Sequence, residues 1–421
     1  MIRSLKVVMV ASELPSPPTT GGRIRTLNLA LSLARAHQIT IIAHRSDESA
    51  EAARFLRERG IETVLVDRAV AAKSGPRFYG RLAANLASAV PYSVASHCST
   101  ALRGAVHAHA RCHRVDLWQV ESTVLADAVA GLKGRPRVVV AQNIESMIWQ
   151  RYHEHETALL RRWYIKQQWR KFERFERRAF AAATRVVAVS EHDAALIRDR
   201  FGGREVDVVD NGIDRGYFEA VRRDPDPGTI LFLGSLDWRP NLDAVGLLLD
   251  LIFPAVRAAE PAARLLLVGR KPPPALVQRV RDLPGVELHP DVPDVRPYLA
   301  RSGAMVVPLR IGGGSRLKIL EAMAAGLPVI STRVGAEGLE LVPGQNYIAA
   351  DAPELMVEAL LATIRDPRPA RAMAGRSRAF VLDRYDWDTL AERLERVWFD
   401  CLECPAPGFV GANPSRGSAP W

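Results

Sequence analysis

The 421 residues exceed what one compact core accommodates, so two domains are expected. Hydrophobic residues make up 48% and charged residues 25%, the composition of a soluble globular chain, and no stretch of about 18 apolar residues offers a membrane span. A net charge of +10 favours anionic partners without choosing among phosphates, acidic lipid and nucleic acid.

The first apolar run, Lys6–Ser12, is short and gives way to Glu13 and the turn-rich "ELPSPPTTGG", so it reads as a buried strand rather than a secretion signal. Arg23–Ala36 follows with apolar residues at helical spacing. Gln38–Ala43 is a second strand, Ala50–Arg59 a charged helix and Glu62–Val66 a third strand. Asp116–Val120, Arg137–Ala141 and Thr184–Val189 are further strands. Buried strands alternating with helices imply a parallel sheet covered on both faces. At Asp224–Gly228 the run "DPDPG" reads as a linker. The pattern then restarts, with strands at Thr229–Gly234, Ala263–Gly269, Val286–His289, Ala304–Pro308, Pro328–Ser331 and Asn346–Ala349. Helices are expected at Asn241–Phe253, Ala275–Arg281, Val295–Ala300 and Ala352–Ile364. Two Rossmann-like, doubly wound α/β domains facing across a cleft are the economical interpretation, with ligand at the carboxyl ends of the strands. The expected division is 1–205 and 206–385, with a helix at about 386–400 returning to the first domain and a disordered tail at 402–421.

Four cysteines, Cys98, Cys112, Cys401 and Cys404, are too few for a disulfide framework. Cys401 and Cys404 spell C-x-x-C but lack a second pair or a nearby His, so neither zinc nor redox work is assigned. A reducing, cytoplasmic setting fits.

The sharpest local signal is "VVPLRIGGGSRLKILEAMAAGLPVIST", Val306 to Thr332. Gly312, Gly313 and Gly314 form a turn out of a strand, and Ser315 can cap the helix that follows. A helix start beside a bare backbone is an anion site. Arg316 and Lys318 add full charges beside it. Glu321 lies on the same helical face and would be repelled by phosphate, so a pair of ribose hydroxyls suits it. The plainer alternative is a glycine turn before an ordinary helix, with Lys318 and Glu321 as a solvated pair. In the first domain, Gly21 and Gly22 with Arg25 open a helix and are read as a loop for the donor phosphate or the acceptor, or else as a plain turn. Gln142 and Asn143, with Glu145, follow a strand end and stand at the cleft rim.

The stretch "GGGSRLKILEAMAAGLPVIST" resembles the carboxyl-domain signature of retaining GT-B glycosyltransferases of the group 1, GT4-like family. "VDVVDNGID", "ILFLGSLDWRPNLDAV", "LLLVGR" and "VGAEGL" follow that family's order, and "PSPPTTGGRIR" is similar to its first glycine loop. The resemblance implies a nucleotide-diphosphate sugar as donor, a glycan or lipid-linked acceptor, retention of configuration and no cofactor or metal. Three departures bear on mechanism. Relatives usually carry a Glu where this chain has Gly313, and an Arg–Lys pair where it has Ser235 and Asn241. Gln142 stands where relatives have His. By this resemblance Arg316 and Lys318, with Arg239, supply the charge for the diphosphate, and the leaving phosphate itself takes the acceptor's proton. "DWD" at Asp386–Asp388 spells an acidic metal pattern but precedes a helix, where Asp caps. A 2-epimerase on the same fold and a non-catalytic nucleotide-binding relative are the alternatives.

"RRWYIKQQWRKFERFERRAF", Arg161–Phe180, interleaves aromatic and basic residues. Ile165, Trp169, Phe172, Phe175 and Ala179 fall at helical spacing, as a core-facing stripe would. The opposite charges, Arg161, Arg162, Lys166, Arg170 and Lys171, are either solvated or lie on acidic membrane at the inner face of the cell membrane. A nucleic-acid partner is not expected.

Overall fold

A computed structural model describes residues 3–67, 75–132, 134–311 and 316–403. The first sheet contains β1 (Lys6–Glu13), β2 (Gln38–His44), β3 (Ile61–Val66), β4 (Leu117–Val120), β5 (Arg137–Ala141), β6 (Arg185–Ala188) and β7 (Val206–Val208). Its spatial order is β3-β2-β1-β4-β5-β6-β7. The second sheet contains β8 (Asp226–Leu233), β9 (Arg264–Gly269), β10 (Val286–Pro290), β11 (Ser302–Val307), β12 (Val329–Ser331) and β13 (Ile348–Ala349), in the order β10-β9-β8-β11-β12-β13. Every pairing in both sheets is parallel. Parallel strands need covered faces, which is why β4 and the middle of β1 are buried without alternation. Apolar clusters lie on both faces of the first sheet, and one large cluster encloses the second. These are two doubly wound Rossmann-like domains.

The strand order reverses between β1 and β4 in the first sheet and between β8 and β11 in the second. Crevices at such reversals open at the carboxyl ends of the strands. The residues singled out in sequence follow those ends: Gly21 and Gly22 come after β1, Gln142 after β5, and Arg316 after β11.

Two boundaries differ from the sequence expectation. β7, Val206–Val208, pairs with β6, so the first sheet runs past residue 205. "DPDPG" is not the linker, because its last three residues begin β8. A register shift between Ser302 and Ala304 of the partner strand accommodates Pro227 and Gly228. The crossing between domains lies earlier. There Ile213 bridges to Asp386, and its N–H donates to the Tyr385 carbonyl at 2.7 Å, so the outgoing and returning chains run side by side. Gly212 of "NGID" is required by that contact. A Cβ there would stand 2.6 Å from the Trp387 ring.

The returning helix, Trp387–Glu403, packs Leu390, Leu394 and Trp398 into the first domain's core beside Leu29 and Leu33. Ser32 Oγ donates to Asp388 at 2.6 Å, and His37 Nε2 lies 2.8 Å from Glu395. Asp386 accepts from the Asp388 N–H at 3.1 Å, so "DWD" caps this helix. The helix also takes in Leu402 and Glu403, the first residues of the expected tail; the rest of that tail, with Cys404, lies outside the described residues. Cys401 is buried in the core.

Candidate active site in the interdomain cleft

The second domain's wall is built on the helix Leu317–Ala324. Ile319, Leu320, Met323 and Ala324 are buried in the second domain's core and Leu317 joins the first domain's apolar cluster across the junction, so the remaining face with Lys318 and Glu321 turns to the cleft. Gly312, Gly313, Gly314 and Ser315 lie outside the described residues; the residue preceding the helix is Arg316. Lys318 Nζ donates to Asn241 Oδ1 at 2.7 Å, and Asn241 Nδ2 donates to the Ser235 carbonyl at 2.7 Å. The ammonium also stands 4.9 Å from the centre of the Phe232 ring. Gly234 makes this approach fit, since a Cβ there would lie 2.8 Å from Lys318 Nζ. The two positions where relatives carry an Arg–Lys pair therefore hold a lysine that comes from the facing helix.

Lys318 and Glu321 keep some accessible surface while protein surrounds them, as at a cleft floor. Burial, aided by the like charge of Arg316, brings the Lys318 ammonium down to about 7, with Glu321 opposing. Burial brings the Glu321 carboxyl up to about 7, with Lys318 opposing. Neither group is held firmly in its charged form.

Arg316 takes a different direction from Lys318. It is 3% exposed, its Nη2 donates to the Val334 carbonyl at 3.0 Å, and it stands 3.6 Å from Glu337. Glu337 also accepts from Arg151 of the first domain at 2.8 Å and lies 3.6 Å from His192. Arg239 likewise faces the first domain: it donates to Glu156 at 3.2 Å and covers the Tyr152 ring at 4.7 Å. Arg270, after β9, donates to the Thr19 carbonyl in the loop after β1. Glu156 and Arg270 are cross-cleft contacts that the sequence did not single out; Glu337 lies in the quoted "VGAEGL", but its role in joining the domains was not expected from that motif.

The first domain's wall is a buried polar relay. Gln142 Nε2 donates to the Glu121 carbonyl at 2.7 Å, and its Oε1 stands 2.4 Å from where a Gly22 Cβ would be. The glycine loop and the residue in the family's His position thus touch each other. Glu121 accepts from Thr26 Oγ1 at 2.8 Å and from Gln119 Nε2 at 2.6 Å. Trp398 Nε1 completes the chain by donating to Gln119 at 2.7 Å. Arg25 is 1% exposed and reaches the domain junction, donating to the Asp210 carbonyl and to Asn211 Oδ1. Its Nε and Nη2 have no hydrogen-bond partner among the described residues. Burial lowers its guanidinium to about 10, against the pull of Glu121 and Asp210.

Beside Gln142, Asn143 Nδ2 lies 3.5 Å from Glu145 Oε1. Glu176, from the long helix Leu159–Ala182, accepts from the N–H groups of Glu145 and Ser146 at 2.6 and 3.2 Å, and so caps the helix Glu145–His155. Burial raises the Glu145 carboxyl to about 7. It raises Glu176 to about 8, and the charge of Glu145 adds to this.

On the long helix Ile165, Phe172, Phe175 and Ala179 are buried as the stripe required, with Trp169 half-buried. Lys171 does not belong with the outward charges: it is buried, and Nζ donates to the carbonyls of Asn85 and Leu86 at 2.6 and 3.3 Å. No helix among the described residues is long and apolar enough to cross a membrane, and no group of three or more His, Cys, Asp and Glu there is arranged to hold a metal ion.

Two family models match this chain. "Glycosyltransferase Family 4" covers residues 19–217, and "Glycosyl transferases group 1" covers residues 227–366. Glycogen synthase of Mycobacterium tuberculosis is 27% identical over 208 residues, 47% of this chain and 49% of that protein. GDP-mannose:cellobiosyl-diphosphopolyprenol alpha-mannosyltransferase of Xanthomonas oryzae is 26% identical over 257 residues, 57% of this chain and 64% of that protein. The chain thus spans about half to two thirds of the length of these curated relatives. Among solved structures, sucrose-phosphate synthase from Thermosynechococcus elongatus superposes with a TM-score of 0.70 at 16% identity, covering 94% of this chain and 99% of that one. HepE from Anabaena, in complex with UDP and glucose, gives 0.64 at 15% identity, covering 93% and 99%. The two-sheet architecture is the one these structures share, and the chain belongs to the group 1 glycosyltransferases of the GT-B fold.

Proposed function

We propose that the chain transfers a sugar from a nucleotide-diphosphate donor to a glycan or lipid-linked acceptor, with retention of configuration. The observation that carries this reading is the Lys318 ammonium, fixed by Asn241 of the helix Arg239–Leu247 that follows β8, with Glu321 on the same face of the lysine's own helix. Lys318 and the start of its helix receive the diphosphate, Glu321 accepts from the ribose hydroxyls, and the expected direct contact of Arg316 is not used, because that guanidinium is buried against the Val334 carbonyl and Glu337. As the sugar–phosphate bond breaks, negative charge grows on the β-phosphate. Donors already placed there stabilise the transition state more than the ground state. The leaving phosphate takes the acceptor hydroxyl's proton, so Gln142 need not act as a base. In this reading Lys318 and the helix start supply the positive charge, and no metal is required.

The names of relatives support the substrate class. One is a GDP-mannose-dependent enzyme acting on a diphosphopolyprenol, and HepE was solved with UDP and glucose. The polar wall of Gln142, Asn143 and Glu145, each partly exposed, favours transfer over 2-epimerisation, because it offers hydrogen-bonding groups to a second substrate. The reading sets the reaction in the cytoplasm, at the inner face of the membrane when the acceptor is a lipid.

A thermal-shift panel of UDP-, GDP-, ADP- and dTDP-sugars tests the donor. A true donor at about 100-fold above its Kd adds about 2.7 kcal/mol to stability. Release of free nucleoside diphosphate in the presence of acceptor then separates transfer from binding alone. No shift with any of the four sugars, or release of an epimerised nucleotide sugar without acceptor, contradicts the proposal.

A further inference from the structure

The outward face of the long helix carries a pattern that the cleft does not use. Leu159, Leu160 and Trp163 are 82%, 79% and 49% exposed. From Leu159, steps of three and four residues reach Trp163, Lys166, Arg170, Arg174 and Arg177, so these share one face. The opposite face holds the buried Ile165, Phe172 and Phe175. Lys166, Arg170 and Arg174 form no ion pair among the described residues, and Arg161 and Arg162 add charge beside the apolar end. The neighbouring helix Pro76–Leu86, tied to this one through Asn85, Gln168 and Lys171, adds Tyr79 at 67% exposure.

One exposed leucine is ordinary on a protein surface. Three large apolar side chains at one end of a face, followed by a line of unpaired cations over about 25 Å of helix, are not what a solvated face needs. Their position also matters. The Arg162 carbonyl lies 3.2 Å from His153 of the preceding helix, and Glu156 in the turn between the two helices meets Arg239 of the second domain. The apolar end therefore stands at the rim of the cleft.

We infer that this face lies on an anionic bilayer, with Leu159, Leu160 and Trp163 entering the headgroup region and Lys166, Arg170 and Arg174 above acidic lipid. The inference deepens the transfer reading and rests on it for its purpose: it brings the mouth of the cleft to a lipid-linked acceptor. A short apolar wedge and a cationic stripe are each weak anchors, and together they give two signals of the kind that peripheral attachment requires. Trp at the boundary supplies an apolar ring with a polar N–H.

The test is sedimentation of the full chain with vesicles of phosphatidylcholine alone, or with about a third of phosphatidylglycerol. The chain is expected to sediment with the anionic vesicles, and raised salt should weaken this. The triple variants L159S/L160S/W163S and K166Q/R170Q/R174Q should each lower the partition about tenfold or more. All six side chains are at least partly exposed, so melting temperature and nucleotide-induced thermal shift should be kept. Equal sedimentation of wild type and both variants overturns the inference, as does the absence of any. A concentration-dependent dimer that the apolar variant abolishes would assign the face to a second copy instead. Displacement from vesicles by RNA, with binding indifferent to the apolar variant, would assign it to nucleic acid. Vesicle binding without any nucleotide response would sink the transfer reading alone; a nucleotide response without vesicle binding would sink this inference alone.

Discussion

The two walls of the cleft are made differently. The second domain's wall takes Arg316, Lys318 and Glu321 from six consecutive residues, and its lysine and glutamate both sit near the point of losing their charge. The first domain's wall is assembled from Gly22, Arg25, Thr26, Gln119, Glu121, Gln142 and Trp398, which are scattered over most of the chain and largely satisfy one another. A phosphate group needs charge and bare backbone in one place, which a short motif can supply. On the proposed function the first wall orients a hydroxyl-rich acceptor, which calls for fixed dipoles, and these are fixed by long-range contacts.

The largest effect is expected in the first wall. Trp398→Ala removes a buried ring from the core and leaves Gln119 without its indole donor. It should cost about 3–5 kcal/mol of stability, read from urea unfolding, while the second domain's nucleotide affinity survives in the folded fraction. If affinity fell with stability in proportion, the two walls would not be separate structures. Next comes Lys318→Met. Loss of one charge-assisted hydrogen bond of about 1.5–3 kcal/mol should raise the Kd for a nucleoside diphosphate by roughly 10- to 100-fold, read by calorimetry. A nucleoside lacking phosphates should be nearly indifferent to the change.

The pH dependence sharpens the contrast. On the proposed function the lysine binds phosphate in its protonated form, and its pKa is lowered to about 7, so affinity should fall as pH rises above that value. Glu321 serves as an ionised acceptor, and its pKa is raised to about 7, so affinity should also fall as pH drops below it. A maximum near neutrality is expected, and Glu321→Gln should remove the acidic limb and, by taking away the charge that supports the Lys318 ammonium, shift the alkaline limb to lower pH. The smallest effect belongs to Glu145→Gln, which should slow acceptor-dependent turnover about five- to tenfold and leave nucleotide affinity unchanged.

The same contrast governs what could be read from the sequence. The strands of both sheets except β7 are legible because parallel strands buried on both faces are unbroken apolar runs, as β1, β9 and β11 show; β7 is three residues with an Asp at its centre and gives no such run. The helix Leu317–Ala324 was legible because its apolar face and its Lys and Glu keep a strict spacing. The helix Pro367–Arg384 went unread: its segment is rich in Arg with two early prolines, and it is helical because Asp366 caps it and Ala370, Ala374, Ser377 and Val381 pack inward. "DPDPG" looked like a linker because Pro and Gly usually break structure, yet a register shift admits it to a strand. Asn241 was read as a lost cation; its use is visible only when Lys318 arrives from 77 residues further along. Glu176 has no local signal, because it caps a helix 30 residues away, and "VGAEGL" marks Glu337 without showing that it gathers Arg151, His192 and Arg316 from three separate elements.

Titration of a nucleoside diphosphate, and of its 2′,3′-dideoxy counterpart, into the wild-type chain and into Glu321→Gln and Lys318→Met measures the central claim most directly. Wild type should prefer the ribose form, Glu321→Gln should lose that preference while keeping the phosphate contribution, and Lys318→Met should weaken both ligands alike. Equal affinities across all three proteins would contradict the placement of the nucleotide on this helix.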